Sequence, residues 1–247
     1  MGLVSHRMPR LFVERELDGN SVTLDERESH YLGHVLRLAR GDELVAFNGR
    51  GVERIATIGS LQRRGAVLEL RAAQVPLTES PLDLTLLQAL PKSDAMDLIV
   101  QKATELGVRA FTPALTEFSV VRLDAERSER RLDHWRKIAR GACEQCGRHR
   151  PPTIAAPLPL AEALAALPAG GARFALDPAA DHALDEQAAP TAGLVIAVGP
   201  EGGFGTSDWR RLDAAQFTRV ALGRRILRAE TAALAACAVA QSLWGDN

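Results

Sequence analysis

Two stretches of this 247-residue chain carry residue types suited to holding a small charged ligand. The first is Val198-Gly-Pro-Glu-Gly-Gly-Phe204, which follows an apolar run at residues 194–198. Its glycines let the backbone approach a ligand closely and take positive φ. Ligands of α/β sheets sit beyond the carboxyl ends of strands, and this loop follows one. No Lys-Ser/Thr pair follows the glycines, so the loop is not a P-loop, and Gly203-Phe-Gly205 lacks the third glycine of a dinucleotide fingerprint. Spacing alone fits a tight structural turn as well as a ligand loop. The second stretch is Leu222-Gly-Arg-Arg-Ile-Leu-Arg-Ala-Glu-Thr-Ala232, again between a strand pattern and a helix pattern. Arg224, Arg225, Arg228 and Glu230 crowd it. Surface charges with an acid in a helix's first turn, where it favours the dipole, give the same pattern.

Three weaker features follow. Pro91-Lys-Ser-Asp94 closes another apolar run, which puts Lys92 at a strand end. Lys102 and Glu105, three apart, fit an ordinary helical ion pair. Cys143-Glu-Gln-Cys146-Gly-Arg-His149 offers thiols and an imidazole but lacks the second ligand pair of a structural zinc site, so no metal is expected. Gln145 and Arg148 in that stretch are candidates for contacting RNA or a partner.

Net charge is −1, which by itself argues against nucleic acid. The total hides a local asymmetry. Between Arg122 and Arg150 nine arginines and lysines stand against five carboxylates, a local +4 with His134 and His149 beside them. Arginine suits bidentate phosphate contact, and a solvated helix face has the same composition.

The elements that must hold these residues read as two domains. Residues 1–75 are β-rich: Arg10-Leu-Phe-Val is a short strand, residues 43–47 run into an Asn48-Gly49 turn, and residues 51–58 alternate. Residues 28–38 read as a helix between them. A small barrel of this kind needs closure to remove its strand edges. The boundary falls at residues 73–81, which hold two prolines. From 81 to 247 strands and helices alternate, the pattern of an α/β domain with a mostly parallel sheet. Ser93 is placed to cap the helix carrying Met96, Ile99, Val100 and Ala103. Hydrophobic content of 46% and charged content of 25% fit a globular protein. No apolar run approaches the roughly 20 residues of a membrane span. With three cysteines and no signal-peptide pattern, the expectation is a cytoplasmic protein.

Gly199-Pro-Glu-Gly-Gly-Phe204 and Leu222-Gly-Arg-Arg-Ile-Leu-Arg-Ala-Glu-Thr-Ala232 together resemble the methyl-donor site of SPOUT methyltransferases. More narrowly, the chain resembles the bacterial 16S rRNA (uracil-N3) methyltransferase family, the ribosomal small subunit methyltransferase E group. Pro9-Arg-Leu-Phe12, Gly33-His-Val-Leu-Arg37, Gln101-Lys-Ala-Thr-Glu-Leu-Gly-Val108 and Ala142-Cys-Glu-Gln-Cys-Gly-Arg148 match it in order. The resemblance implies a PUA-like RNA-binding β-barrel at 1–75 and a SPOUT α/β domain at 81–247 tied in a deep trefoil knot. It implies a homodimer that uses S-adenosyl-L-methionine to methylate N3 of one uridine in the decoding region of 16S rRNA, on the assembled small ribosomal subunit. The donor would lie on Gly199, Pro200, Glu201, Gly202, Gly203, Leu222, Gly223, Ile226, Leu227 and Arg228. Arg228 would stabilise charge on the uracil, and Glu230 would orient it or accept a proton. RNA would meet Arg10, Arg37, Arg40, Lys92, Arg122, Gln145 and Arg148. Two positions depart from the family's pattern: Phe118 stands where a basic residue is common, and Ala229 where threonine is frequent. A non-catalytic RNA-binding or ribosome-assembly factor, and a SPOUT methyltransferase acting on another RNA, are the competing readings.

Overall fold

The computed structural model describes residues 8–74, 78–92, 95–119 and 125–247. Ser93 and Arg122, two residues singled out from the sequence, lie outside the described residues. The chain divides into two compact units. One is Met1–Glu79 with Cys143–Arg150, and the other is Ser80–Ala142 with Pro151–Asn247. The segment Cys143–Arg150 therefore clusters with the first unit, although by sequence it falls inside the span 81–247.

The first unit contains β1 (Arg10–Phe12), β2 (Ser21–Leu24), α1 (Glu26–His30), β3 (Glu43–Phe47), β4 (Glu53–Gln62) and β5 (Gly65–Gln74). Its sheet runs β1-β3-β4-β5-β2. Alternation sets the facing: Ala56 and Ile58 of β4 and Ala66, Leu68 and Leu70 of β5 turn inward onto Leu11, Leu24 and Leu44. No pairing joins β1 to β2 among the described residues, so the expected barrel is not closed by hydrogen bonds between them. The short β2 alternates buried and exposed residues but is too brief to register as a sequence pattern. The helix expected over 28–38 is shorter and changes form. It starts at a capping box between Asp25 and Glu28 and passes into a π-turn at Tyr31–Val35, around Gly33.

Two residues expected to meet RNA are interior here. Arg10, 8% exposed, donates to Glu53 at 2.6 Å and to the Arg148 carbonyl at 3.2 Å, and its guanidinium lies 4.8 Å over the Phe47 ring. Arg148, 4% exposed, donates to Glu79 Oε2 at 3.0 and 2.8 Å. The other Glu79 oxygen accepts the amides of His149 and Arg150 at 3.1 and 3.0 Å. Both arginines are thus corrected from RNA ligands to internal counter-ions. Composition does not distinguish the two roles, because a buried carboxylate and a phosphate ask for the same cation. The Glu144 carboxylate accepts the Phe12 amide at 2.9 Å and the Tyr31 hydroxyl at 3.1 Å. Burial, then the nearby Glu144 carboxylate, push the Tyr31 hydroxyl up to about 12, and burial pushes the Cys143 thiol up to about 12. A thiol held protonated in this way is a packing residue rather than a ready metal ligand.

The second unit contains β6 (Leu84–Ala89), α2 (Ala95–Glu105), β7 (Ala110–Leu115), all but the last turn of α3 (Ala125–Cys146), β8 (Thr153–Ile154), β9 (Leu158–Pro159), α4 (Leu160–Ala165), β10 (Ala172–Leu176), β11 (Leu194–Val198), α5 (Thr206–Ala214), β12 (Thr218–Val220) and α6 (Ala229–Trp244). Its sheet runs β12-β10-β11-β6-β7-β8, with β9 also on β7, and every pairing is parallel. Leu84, Leu86, Ile196 and Val198 face Met96, Ile99, Trp135, Ala233 and Ala236 on one side. Leu87, Ala89, Val195 and Ala197 face Leu160, Ala163 and Leu212 on the other. Helices cover both faces, which is why β6 and β11 read as unbroken apolar runs.

A polar clasp fixes the start of α5. The Asp208 carboxylate is buried and accepts the amides of Gly205 and Glu117, each at 3.0 Å. Glu117 Oε2 in turn accepts the Ser207 hydroxyl at 2.7 Å and the Ser207 amide at 3.2 Å. These bonds from Ser207 hold the Glu117 carboxyl below its usual value of 4.5.

Two outcomes are expected. Arg148→Ala leaves Glu79 without its cation and lowers the unfolding free energy by about 3 kcal/mol, read by urea denaturation; an unchanged midpoint would show the pair to be dispensable. Because the folded pKa of Glu117 is depressed, its contribution is present above pH 4.5 and lost as pH falls through the lowered value. Glu117→Gln is therefore expected to melt below wild type at neutral pH. The gap in Tm should narrow as the pH drops below 4.5.

Candidate functional site

In a parallel sheet all carboxyl ends open on one edge, so neighbouring strands bring their following loops together. β11 lies beside β10, and β10 beside β12. The loops after these three strands enclose a cavity of ≈ 330 Å³. β10 leads into Leu176, Asp177 and Pro178. β11 leads into Val198, Gly199, Pro200, Glu201 and Gly203. The segment after β12 gives Leu222, Gly223, Arg225, Ile226, Leu227 and Arg228, and the first turn of α6 adds Ala229 and Ala232. The two loops picked out by residue type thus meet around one cavity.

The backbone makes this cavity possible. The Gly203 amide donates to the Pro200 carbonyl at 2.8 Å, which closes a turn. A Cβ on Gly199 would sit 3.1 Å from Gly203 backbone atoms, so a side chain there would crowd the turn as it folds back on itself. Gly203 and Gly223 have φ of 71° and 69°, and a Cβ on either would meet no protein atom within 4 Å. A ligand can therefore lie against bare main chain at both positions. The Lys92 amide donates to Glu201 Oε1 at 2.8 Å, tying the loop to the end of β6. Arg228 is the N-cap of α6 and makes no side-chain cap, which leaves the helix's first amides available on the cavity side.

The lining mixes apolar walls with both signs of charge. Leu176, Val198, Leu222, Ile226 and Leu227 supply the walls, Arg225 and Arg228 cations, and Asp177 and Glu201 carboxylates. That set fits a ligand with a flat apolar part and an amino-acid-like end carrying both an ammonium and a carboxylate.

Each expected residue has a definite place. Gly199, Pro200, Glu201, Gly203, Leu222, Gly223, Ile226, Leu227 and Arg228 line the cavity. Gly202 is not among the lining residues; a Cβ built on it would lie 3.3 Å from the Phe118 side chain. Glu230 is half-buried in the first turn of α6 and does not line the cavity either. Arg37, Arg40, Lys92 and Gln145 are exposed, and Arg37 holds an unusual φ of 56°. The Leu176–Pro178 corner was missed. Asp177-Pro178 at the end of an apolar run is a strand-end signal, but nothing in the sequence says that β10 neighbours both β11 and β12. Among the described residues no group of three or more His, Cys, Asp or Glu could hold a metal ion. No described helix is long and apolar enough to cross a membrane.

Residues 78–241 match the RNA methyltransferase domain family, and residues 24–71 match the RNA methyltransferase PUA domain. A solved ribosomal RNA small subunit methyltransferase E from Neisseria gonorrhoeae, bound to S-adenosyl methionine, is 35% identical with a TM-score of 0.90, over 97% of this chain and 99% of that one. A putative methyltransferase from Legionella pneumophila in complex with the same cofactor is 32% identical with a TM-score of 0.92, over 98% of this chain and 100% of that one. The ribosomal RNA small subunit methyltransferase E of Synechocystis is 36% identical over 90% of this chain and 73% of its own. A full-length match in both sequence and fold leaves one conclusion: this chain belongs to the ribosomal RNA small subunit methyltransferase E family.

Proposed function

We propose that this protein transfers a methyl group from S-adenosyl-L-methionine to N3 of a uridine in 16S rRNA, within the decoding region of the assembled small ribosomal subunit. The observation that carries the reading is the single cavity formed by the loops after β10, β11 and β12, with bare glycine backbone on two sides. Its volume falls in the range of small-ligand sites. Bound there, the cofactor supplies an electrophilic methyl group on a sulfonium. The relatives that hold it share this fold from end to end.

The chain's own residues then have distinct tasks. The main chain at Gly199–Gly203 and Leu222–Leu227 would hold the adenosine and methionine parts, with the carboxylates of Asp177 and Glu201 near the cationic end and Arg225 near the carboxylate. A neutral uridine N3 carries a proton and a lone pair delocalised into the ring, so the reaction needs uridylate character. Arg228, exposed at the cavity wall, would stabilise the negative charge developing on the uracil oxygens. Glu230 stands outside the lining, which supports the orienting role over proton acceptance.

RNA binding would draw on the PUA-like region at 1–75 through Arg37 and Arg40, and on Lys92 and Gln145, all exposed. Such contacts weaken with salt as phosphate neutralisation releases counterions. Homodimerisation is part of the reading, and Ile226, 88% exposed on the cavity loop, is the apolar surface a partner subunit would cover. A trefoil knot at 81–247 is supported by the path of the chain. β12 lies outside β10, yet the helix that follows packs against α2, β11 and β6. A ribosomal substrate implies work in the cytoplasm.

Arg228→Ala should lower methyl transfer by at least about 100-fold. Its Tm and its calorimetric affinity for S-adenosylmethionine should stay near wild type. Full activity in that variant removes Arg228 from the mechanism. Absence of N3-methyluridine from small-subunit RNA treated with the wild-type enzyme would overturn the proposed product.

A further inference from the structure

The turn after β7 carries an aromatic side chain to which the methyl-transfer reading gives no task. Phe118 is 49% exposed. The turn that bears it is held firmly on both sides. The Ser119 amide donates to the Thr116 carbonyl at 3.0 Å, and the Thr116 amide donates to the Ser119 hydroxyl at 3.1 Å. On the other side Glu117 is fixed by Asp208 and Ser207, as described above. Phe118 is therefore displayed from a pinned backbone.

The inner side of this residue rests on the cavity loop. A Cβ built on Gly202 would lie 3.3, 3.4 and 3.5 Å from Phe118 Cβ, Cδ2 and Cγ. Gly202 stands between Glu201 and Gly203, which both line the cavity. Glu201 is also bonded to the Lys92 amide, and Lys92 itself is exposed. An aromatic side chain and the main chain of an exposed lysine thus meet the same loop.

We propose that Phe118 is a stacking platform for a nucleobase of the RNA substrate, held beside the cavity through Gly202. The proposal rests on the RNA-methyltransferase reading given above. N3 lies on the Watson–Crick edge, so the target must leave its pair and its stack before the methyl group can reach it. An extruded base, or the neighbour it abandons, loses a π-face. A fixed, half-exposed aromatic ring restores one, whatever the sequence. Apolar contact with Gly202 alone does not account for a ring with half its surface in water.

The test compares Phe118→Leu, Phe118→Ala and Phe118→Trp with wild type, on small ribosomal subunits taken from cells lacking the gene. Stacking predicts that the Leu and Ala variants lose roughly tenfold in kcat/KM for the subunit, the scale of one base–aromatic contact. Their Tm and calorimetric affinity for S-adenosylmethionine should hold. Phe118→Trp should keep the activity, and its added fluorescence should be quenched on RNA binding. Because no phosphate contact is lost, the salt dependence of RNA binding should have the same slope in all four proteins. Wild-type kcat/KM in Phe118→Leu overturns the proposal. So does a parallel loss of donor affinity and Tm, which makes Phe118 a packing residue, or a shift in sedimentation with RNA binding unchanged, which assigns it to a subunit contact. If the wild-type protein fails to bind S-adenosylmethionine at all, the underlying reading falls instead, and this proposal with it.

Discussion

Parallel strands cannot be joined by hairpins, so each strand of the second unit is reached by a crossover, and each strand-end loop opens on the same edge of the sheet. That constraint organises everything functional in the unit. β11 sits between β10 and β6 with all five of its residues buried. Its carboxyl end thereby comes beside the carboxyl end of β10, and β12 on the far side of β10 brings up the third loop. The cavity is a consequence of strand order. The glycines at 199, 203 and 223 make its walls thin, and the clasp of Asp208, Glu117 and Ser207 fixes the ground from which the first wall rises.

Charge is distributed for local tasks. The chain's net charge of −1 gives no hint of an RNA-directed protein. Some arginines are used inside the first unit: Arg10 and Arg148, both expected to meet RNA, against Glu53 and Glu79, and Arg54 onto the Leu17 and Gly19 carbonyls. Others stay exposed: Arg37, Arg40 and Lys92, and along α3 Arg127, Arg130, Arg136 and Lys137. Arg225 and Arg228 belong to the cavity.

Residue chemistry and periodicity made much of this legible. The buried run at 194–198 became β11 with the same bounds, because a strand covered on both faces leaves an uninterrupted apolar signature. The loops at 199–204 and 222–231 were visible through glycine and arginine content. Other features were hidden for physical reasons. Asp177 reaches the cavity only because β10 neighbours both β11 and β12, and strand order is a long-range property. Residues 143–150 join the first unit through Glu144 and Glu79, contacts between positions more than 60 apart in sequence. Gly202 looked like its neighbours in the loop, yet its Cα faces Phe118. Phe118 itself, read as the loss of a cation, is in the structure a displayed ring.

The central claim is that the cavity bounded by these three loops holds the methyl donor. Ala232, on the first turn of α6, forms part of its wall and is only partly buried. Isothermal titration of S-adenosylmethionine into wild type and Ala232→Trp tests the claim directly. The account predicts one site per chain in wild type and loss of binding when the indole fills the cavity, with Tm preserved. Binding of undiminished affinity in the filled variant would contradict it.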